Sequence, residues 1–325
     1  MTTKHSGNNL TRLFGNWLDV FKKKNLAPFL TLALLLLLCC IFSPVFRKPE
    51  NLLNIANQVA PCGLLALGMT LVIAGGGIDL SVGSLFALAG VLGIQLMGTM
   101  GGSADWVTFC ALVLVALLTG LAGGAVNGAL VNWGRIPPFI ATLGTFSIFR
   151  SLAIFRADAS TIYSHNKVLD VFAAGGVPVL ILTAATAILF GVLAYTRFGW
   201  RICAVGSNEK ASVYASVNVR RVRFASYVIV GALCGLGTVL QLCRMHAIPS
   251  TTAGNAYELD AIAAVIIGGT PMTGGRASIF GTLCGVLILG IIGNILDVWN
   301  ISSYLYGTVK GVIIIMAVLL QYKRG

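Results

Sequence analysis

Long apolar runs alternate along the chain with short polar connections, and the runs have the length of helices. Ten can be marked: Leu26–Phe46, 59–75, 81–98, Trp106–Asn132, a run from Pro138 to about Phe155, Val177–Tyr195, Phe224–Cys243, Glu258–Thr270, Ser278–Leu296 and Ser302–Leu320. About 20 apolar residues cross the hydrocarbon core of a bilayer, so most of these runs can span it. The pattern predicts an all-α, polytopic membrane protein with about ten transmembrane helices. A single transmembrane domain fills 28–322, behind a polar, basic segment at 1–27 that ends in Lys22-Lys23-Lys24. Three runs carry glycines four apart: Gly120, Gly124 and Gly128; Gly231 and Gly235; Gly281 and Gly285. That spacing lets a second helix approach closely.

Two Gly-rich stretches interrupt the pattern. Gly75-Gly76-Gly77-Ile78-Asp79-Leu80-Ser81-Val82-Gly83-Ser84 lies between the second and third runs, and Gly268–Gly275 follows the eighth. Glycine has too much backbone freedom to hold a helix well, so the second helix is expected to stop near Gly75. Asp79 and Ser81 suit the start of the next helix, where a short side-chain oxygen accepts from a free backbone N–H. Lipid cannot satisfy open backbone groups, so such a break is buried in protein or lines a water-filled cavity. It reads as a helix break at the edge of a transport path; a plain cytoplasmic turn with a capping Asp is the alternative. The two breaks together suggest a weak internal repeat of the transporter kind, with tight helix packing as the other explanation.

Composition narrows the class. Of 325 residues, 57% are apolar and 10% charged, with a mean hydropathy of +0.90. No soluble catalytic domain fits in what the runs leave over. The net charge of +12 raises the question of nucleic acid, but the basic residues flank apolar runs, as cytoplasmic loops do. Most of the 22 Lys and Arg fall on one side, among them Lys22, Lys23, Lys24, Arg135, Arg197, Arg201, Arg220, Arg221 and Arg223. Ten spans put both termini on that side. Both termini, the Gly75–Ser81 break, the 196–223 loop and the 271–277 break are therefore assigned to the cytoplasm, and no nucleic-acid partner is expected. The first apolar run begins late and is too long for a signal-peptide core. The eight cysteines and three histidines show no ligand spacing, so no metal site is expected. There is no P-loop, no nucleophile elbow and no deep polar constellation, so neither an enzyme nor a cofactor of its own is expected.

Several polar or aromatic residues inside the spans are candidates to line a path: Asn57, Gln58, Asn127, Thr142, Phe146 and Asn294, together with Asp79, Ser81 and Asp260. Amides bond hydroxyls and aromatic faces stack on flat solutes; bonding between helices is the alternative role. Glu258-Leu259-Asp260 opens the eighth run from the outer face, where N-terminal capping and dipole pairing are expected, with ligand contact as the alternative. Arg150, in the last turns of the fifth run, is expected to snorkel outward. Lys310 lies about 10 Å into the tenth and needs a partner or a wet cavity; Asp297 is the expected partner. In the 196–223 loop, Asn208 fits the N-cap of a short helix with Glu209 and Lys210 in its first turn. Ala211, Ala215 and Ser216 give that helix a small-residue face, suited to another protein's groove or to the headgroups.

Four motifs now stand in one order: Gly-Gly-Ile-Asp-Leu-Ser-Val-Gly-Ser at 76–84, Gly206-x-Asn208, Tyr-Glu-Leu-Asp-Ala-Ile-Ala-Ala-Val at 257–265, and Gly-Gly-Thr…Gly-Gly-Arg at 268–276. From about residue 28 onward the chain resembles the permease subunits of bacterial ATP-binding-cassette (ABC) importers for ribose and related monosaccharides. Allose, xylose, galactose, galactofuranose and autoinducer-2 permeases share the pattern. The resemblance implies a permease dimer in the bacterial inner membrane, with two cytoplasmic ABC ATPase subunits that use the ATP. It also implies a periplasmic sugar-binding protein docking on the loops 156–176 and 244–257. The 199–219 segment matches the loop that inserts into the ATPase, with Gly206, Asn208, Glu209, Ala211 and Ala215 as the implied coupling residues. The family usually has Ser-Gly-Ile before the Asn-Val, whereas this chain has Ala215-Ser216-Val217, so a changed turn is expected there. Alternating access would move the sugar. An ion-gradient-driven secondary transporter is the alternative; it would want an ion-binding cluster at mid-membrane, and Asp79 and Asp260 are expected nearer span ends.

Overall fold

The structure, a computed structural model, describes residues 26–100, 102–173, 175–302 and 305–322. The basic segment before residue 26, with Lys22, Lys23 and Lys24, and the terminal Lys323-Arg324 lie outside the described residues. In order, the elements are α1 (Ala27–Phe42), α2 (Pro49–Ala74), α3 (Val82–Thr99), α4 (Asp105–Asn132), α5 (Pro138–Arg156), β1 (Thr161–Tyr163), α6 (Lys167–Ala173), α7 (Val177–Tyr195), α8 (Arg197–Ser207), α9 (Glu209–Tyr214), α10 (Val219–Met245), β2 (Ala247–Pro249), α11 (Tyr257–Ile267), α12 (Ile279–Val298) and α13 (Tyr306–Tyr322).

Seven of these helices, α2, α3, α4, α5, α7, α10 and α12, are long and apolar enough to cross a membrane. The protein is a polytopic, all-α membrane protein. The other three predicted spans are shorter: α1 has 16 residues, α13 has 17 and α11 only 11. At α11 the reason is local. Gly269 turns the backbone at φ +88° and Pro271 follows, so the helix cannot continue. The second predicted span, 59–75, begins earlier, at Pro49, whose fixed φ suits a first helical position; Pro61 is carried inside the helix. The two long outer loops are not plain loops. β1 and β2 pair antiparallel, with Ile162 opposite Ile248, and α6 lies between β1 and α7.

Contacts along the helices fix their directions. Gly68 of α2 packs on Val230 and Pro61 on Gly237, so α2 and α10 are antiparallel. Thr70 and Thr282 hydroxyls meet at 2.8 Å, and Asn51 and Asn294 exchange amide hydrogen bonds at 3.1 and 3.0 Å, so α12 also opposes α2. Gly120 faces Gly231 and Gly124 faces Tyr227, which sets α4 against α10. The Cys234 thiol donates to the Val82 carbonyl and the Thr238 hydroxyl to that of Phe86, at 3.0 and 3.1 Å, so α3 runs parallel to α10. Gly268 packs on Gly281 and Ala264 on Gly285, so α11 opposes α12. The triplets α2–α3–α4 and α10–α11–α12 thus run in opposite senses, and each has a non-helical re-entry before its middle helix. The glycine spacing read from the sequence has its cause here: a Cβ on Gly120 would overlap the Gly231 carbonyl, and the reverse holds as well.

Gly120→Leu should therefore cost about 1–3 kcal/mol through overpacking and lower the midpoint of thermal unfolding in detergent. Gly144→Ala, where a Cβ meets nothing within 4 Å, should leave that midpoint unchanged.

Candidate functional site

The first break closes on itself through Asp79. α2 ends at Ala74, Gly75 caps it, and Gly76 turns at φ +77°. Asp79 is fully buried. Its Oδ1 accepts from the backbone N–H of Ser81 at 2.9 Å and from the Ser81 hydroxyl at 2.7 Å. The Asn127 amide of α4 donates to both Asp79 oxygens, at 3.3 and 3.2 Å, and to Ser81 Oγ at 2.7 Å. The Thr145 hydroxyl of α5 donates to Asn127 Oδ1 at 2.6 Å. Tyr227 of α10 donates to the Ile78 carbonyl at 3.2 Å. Of the two settings expected for the break, burial in protein is the one found. The cap differs from the expectation. Ser81 occupies the N-cap of α3, but its side chain makes no capping bond and turns to Asp79 instead. Three predicted path residues, Asp79, Ser81 and Asn127, are brought together; Thr145 and Tyr227 complete the group and were missed.

The second break meets the first at one end of the bundle. The Gly275 N–H donates to the Ala74 carbonyl at 2.9 Å. Gly206, at the end of α8, lies between them so closely that a Cβ would overlap Ala74 O and crowd Gly275 N. Ile202 of α8 packs on Gly75. Arg223 Nε donates to the Gly75 carbonyl at 3.0 Å, while its Nη1 pairs with Glu209 at 2.9 Å. The pair is partly exposed and contributes under about 1 kcal/mol; it orients Arg223 on the break. Asn208 caps α9 as expected, accepting from the Ala211 N–H at 3.0 Å. Ala211 and Ala215 are exposed beside it. Ser216 takes φ +60°, and the Ser216 and Val217 N–H groups return to Val213 and Ser212 at 3.0 Å each. In this segment, outside the spans, burial pushes the Cys203 thiol up from its ordinary range.

α11 begins against the first turn of α3. The turn between β2 and α11 folds back until Gly254 and Glu258 Oε2 touch Gly83, in the first turn of α3, leaving no room for a Cβ there. From that shared level α3 extends about 25 Å one way and α11 about 15 Å the other. Ala256, at φ +61°, is the N-cap and has no side-chain bond, while Glu258 and Asp260 lie in the first turn, where their charge faces the positive end of the helix dipole. Lys310 pairs with Asp260 at 2.7 Å, not with Asp297, because α13 packs beside the first turns of α11. Arg150 does not snorkel outward. Its Nη1 donates inward to the carbonyls of Ser250 and Ala253, at 3.2 and 2.8 Å, because the re-entrant turn brings unpaired carbonyls within its reach.

The remaining candidates are scattered. Asn57 and Gln58 sit on the half of α2 away from the breaks, and Gln58 is exposed. Asn294 is spent on Asn51. Thr142 is buried and bonds back to the Pro138 carbonyl at 2.8 Å; Phe146 is half-buried on α5. Among the described residues no group of three His, Cys, Asp or Glu could hold a metal ion. The arrangement is a set of helix ends held by polar contacts and linked to a peripheral helix pair, which defines a membrane permease rather than a site of bond chemistry. Residues 51–318 match the family described as the branched-chain amino acid transport system / permease component. The chain is 41% identical to the ribose import permease protein of Bacillus subtilis, over 93% of this chain and 94% of that one. It is 38% identical to the ribose import permease protein of Escherichia coli, over 90% and 92%, and 35% identical to that organism's D-allose transport system permease protein, over 90% of each. No solved structure matches. The chain belongs to this family of transport permease components.

Two outcomes are expected. Lys310→Met or Asp260→Leu alone should each destabilise by roughly 3 kcal/mol, and the double variant should recover most of the loss, since a buried pair is worth little against apolar residues; detergent unfolding midpoints of all four proteins decide this. Ser216→Gly should stabilise by about 1 kcal/mol by relieving the left-handed conformation, read in the same assay.

Proposed function

We propose that the chain is the permease subunit of an ABC importer that carries a monosaccharide, of the ribose or allose kind, across the bacterial inner membrane by alternating access. The supporting observation is that α8 and α9 bear on both helix breaks at once, through Gly206, Ile202 and the Glu209–Arg223 pair. A force applied to α8 and α9 would therefore be delivered to the end of α2 and to the turn after α11 without an intermediate element. Two cytoplasmic ABC ATPase subunits would supply that force, engaging the exposed Ala211, Val213, Tyr214 and Ala215 side of α9. The chain itself supplies two packings of its helices rather than covalent chemistry.

The rest of the assembly follows from this role. Two permease subunits would enclose one path, with both termini and α8–α9 in the cytoplasm. A periplasmic sugar-binding protein would dock on the other face, where the β1–β2 pair ties the two outer loops into one surface. The choice of sugar would rest largely with that binding protein. A secondary transporter has less support: Asp79 is enclosed by fixed hydrogen-bond donors and Asp260 is held by Lys310, so neither is set out as an exchangeable ion site.

Uptake of labelled D-ribose or D-allose by cells expressing the full importer should fall to background when the ATPase partner is inactivated. It should persist under a protonophore while ATP is maintained. Uptake that follows the ion gradient instead would favour the secondary transporter. Gly206→Ala, which forces backbone apart at the coupling contact, should lower uptake by at least about tenfold, a loss of 1.4 kcal/mol or more in the barrier, at unchanged membrane levels.

A further inference from the structure

We propose that the cavity between α1 and the end of α12 holds one acyl chain of a phospholipid, with the lipid's phosphate on Arg47 and Lys48. The inference goes beyond the permease reading and does not depend on which solute is carried. The cavity has a volume of about 260 Å³. α1 contributes Leu35, Leu38, Cys39 and Phe42, spaced three and four apart and so on one face of the helix. The last turn of α12 and its cap contribute Ile295, Val298 and Trp299. Phe46, in the turn between α1 and α2, completes the lining.

The cavity has a floor and a mouth. Cys39 is 5% exposed and Phe46 is fully buried, whereas Phe42 is 72% and Trp299 60% exposed. From Leu35 to Phe42 is two helical turns, about 10 Å. The space is therefore a slot along α1, open to the outside of the bundle. It has little to offer water. Its one hydroxyl, on Ser43, already accepts from the Phe46 N–H at 3.2 Å, and an apolar cavity stays dry. A helix does not fit either, since one with its side chains is about 10 Å or more across. A hydrocarbon chain has the right width and polarity. The neighbouring face of α1 is exposed and apolar, with Leu34, Leu37 and Ile41, as a helix against acyl chains is.

The mouth supplies the contacts for the headgroup. Arg47 follows the lining residue Phe46 directly and Lys48 comes next, so both lie within about 8 Å of the lining along the backbone. Both are exposed, and among the described residues neither forms an ion pair. Two acids are near in sequence or space. Glu50 is exposed in the first turn of α2 and pairs with neither cation; Asp297 of α12 has an interaction of its own. A phosphodiester is an anion with acceptor oxygens, which an arginine fork and a lysine point charge both suit. Tryptophan is enriched at the membrane–water boundary, and Trp299 caps the end of α12. An apolar slot, a boundary ring and two unpaired cations thus follow in the order in which a phospholipid presents its chain, its ester region and its phosphate.

The test uses the full-length permease purified with its ATPase partners. Repeated detergent washing strips it, dioleoylphosphatidylglycerol is added back, and mass spectrometry of the intact complex counts the lipids kept per permease chain. The wild type should keep one. Leu38→Trp fills the slot from its exposed side and should weaken retention by at least about tenfold, a loss that a few displaced methylenes account for. Arg47→Gln/Lys48→Gln, on the surface, should weaken it by about tenfold as well. Added salt should loosen the lipid from the wild type more than from this variant. A wild type that keeps no lipid, or unchanged retention in either variant, would overturn the proposal. A Leu38→Trp change in the number of permease chains per complex, with lipid retention untouched, would make the slot a seat for a second copy and overturn it equally. If Leu38→Trp does not assemble, the Arg47 and Lys48 variant decides alone.

Discussion

Hydrocarbon offers no hydrogen bonds, and everything unusual in this protein follows from breaking helices inside it. A helix that stops at Ala74 and another that starts at Val82 leave backbone donors and acceptors open between them, beside side chains that are buried, Asp79 and Ser81 among them. The chain answers with its own groups. Asp79 takes the Ser81 N–H, Tyr227 takes the Ile78 carbonyl, Gly275 reaches the Ala74 carbonyl and Arg223 the Gly75 carbonyl. These partners come from α4, α10 and the turn after α11. Each break is therefore a junction where distant parts of the sequence must be correctly placed together. Asn127 shows the coupling best: it binds both Asp79 oxygens and Ser81, and is itself oriented by Thr145.

The same constraint explains why so much of the packing is backbone against backbone. Gly120 on Gly231, Gly268 on Gly281 and Gly206 on Ala74 leave no space for a methyl group. Dispersion between close-packed backbones, not the hydrophobic effect, holds helices together in lipid. Surfaces of this kind fit in only a few relative positions, because packed interfaces are discrete rather than continuously deformable. Contacts of this kind join α8, the end of α2 and the turn after α11 at one end of the bundle.

Much of this was legible in the sequence, for physical reasons that differ from place to place. The apolar runs and the four-residue glycine spacing depend on local pattern, and both the long helices and the α4–α10 contact follow it. The cap at Asn208 is local too, and it forms. What could not be read is which charges meet. Lys310 meets Asp260 and not Asp297 because α13 packs beside α11, and the short length of α11 was hidden by an apolar run that continues to Thr270. Arg150 looked like a residue near a helix end with water in reach, but the carbonyls it binds belong to a turn a hundred residues away that folds back into the protein. Ser216 could not be read either: nothing in its neighbours signals that a serine takes φ +60° there, in a turn closed by the Ser216 and Val217 N–H groups.

α3 and α11 both begin at the contact around Gly83 and depart in opposite directions. Gly83 admits no side chain there, so the first turns of the two helices are joined through backbone. A displacement of one start carries the other with it, and the two halves of the bundle share one pivot.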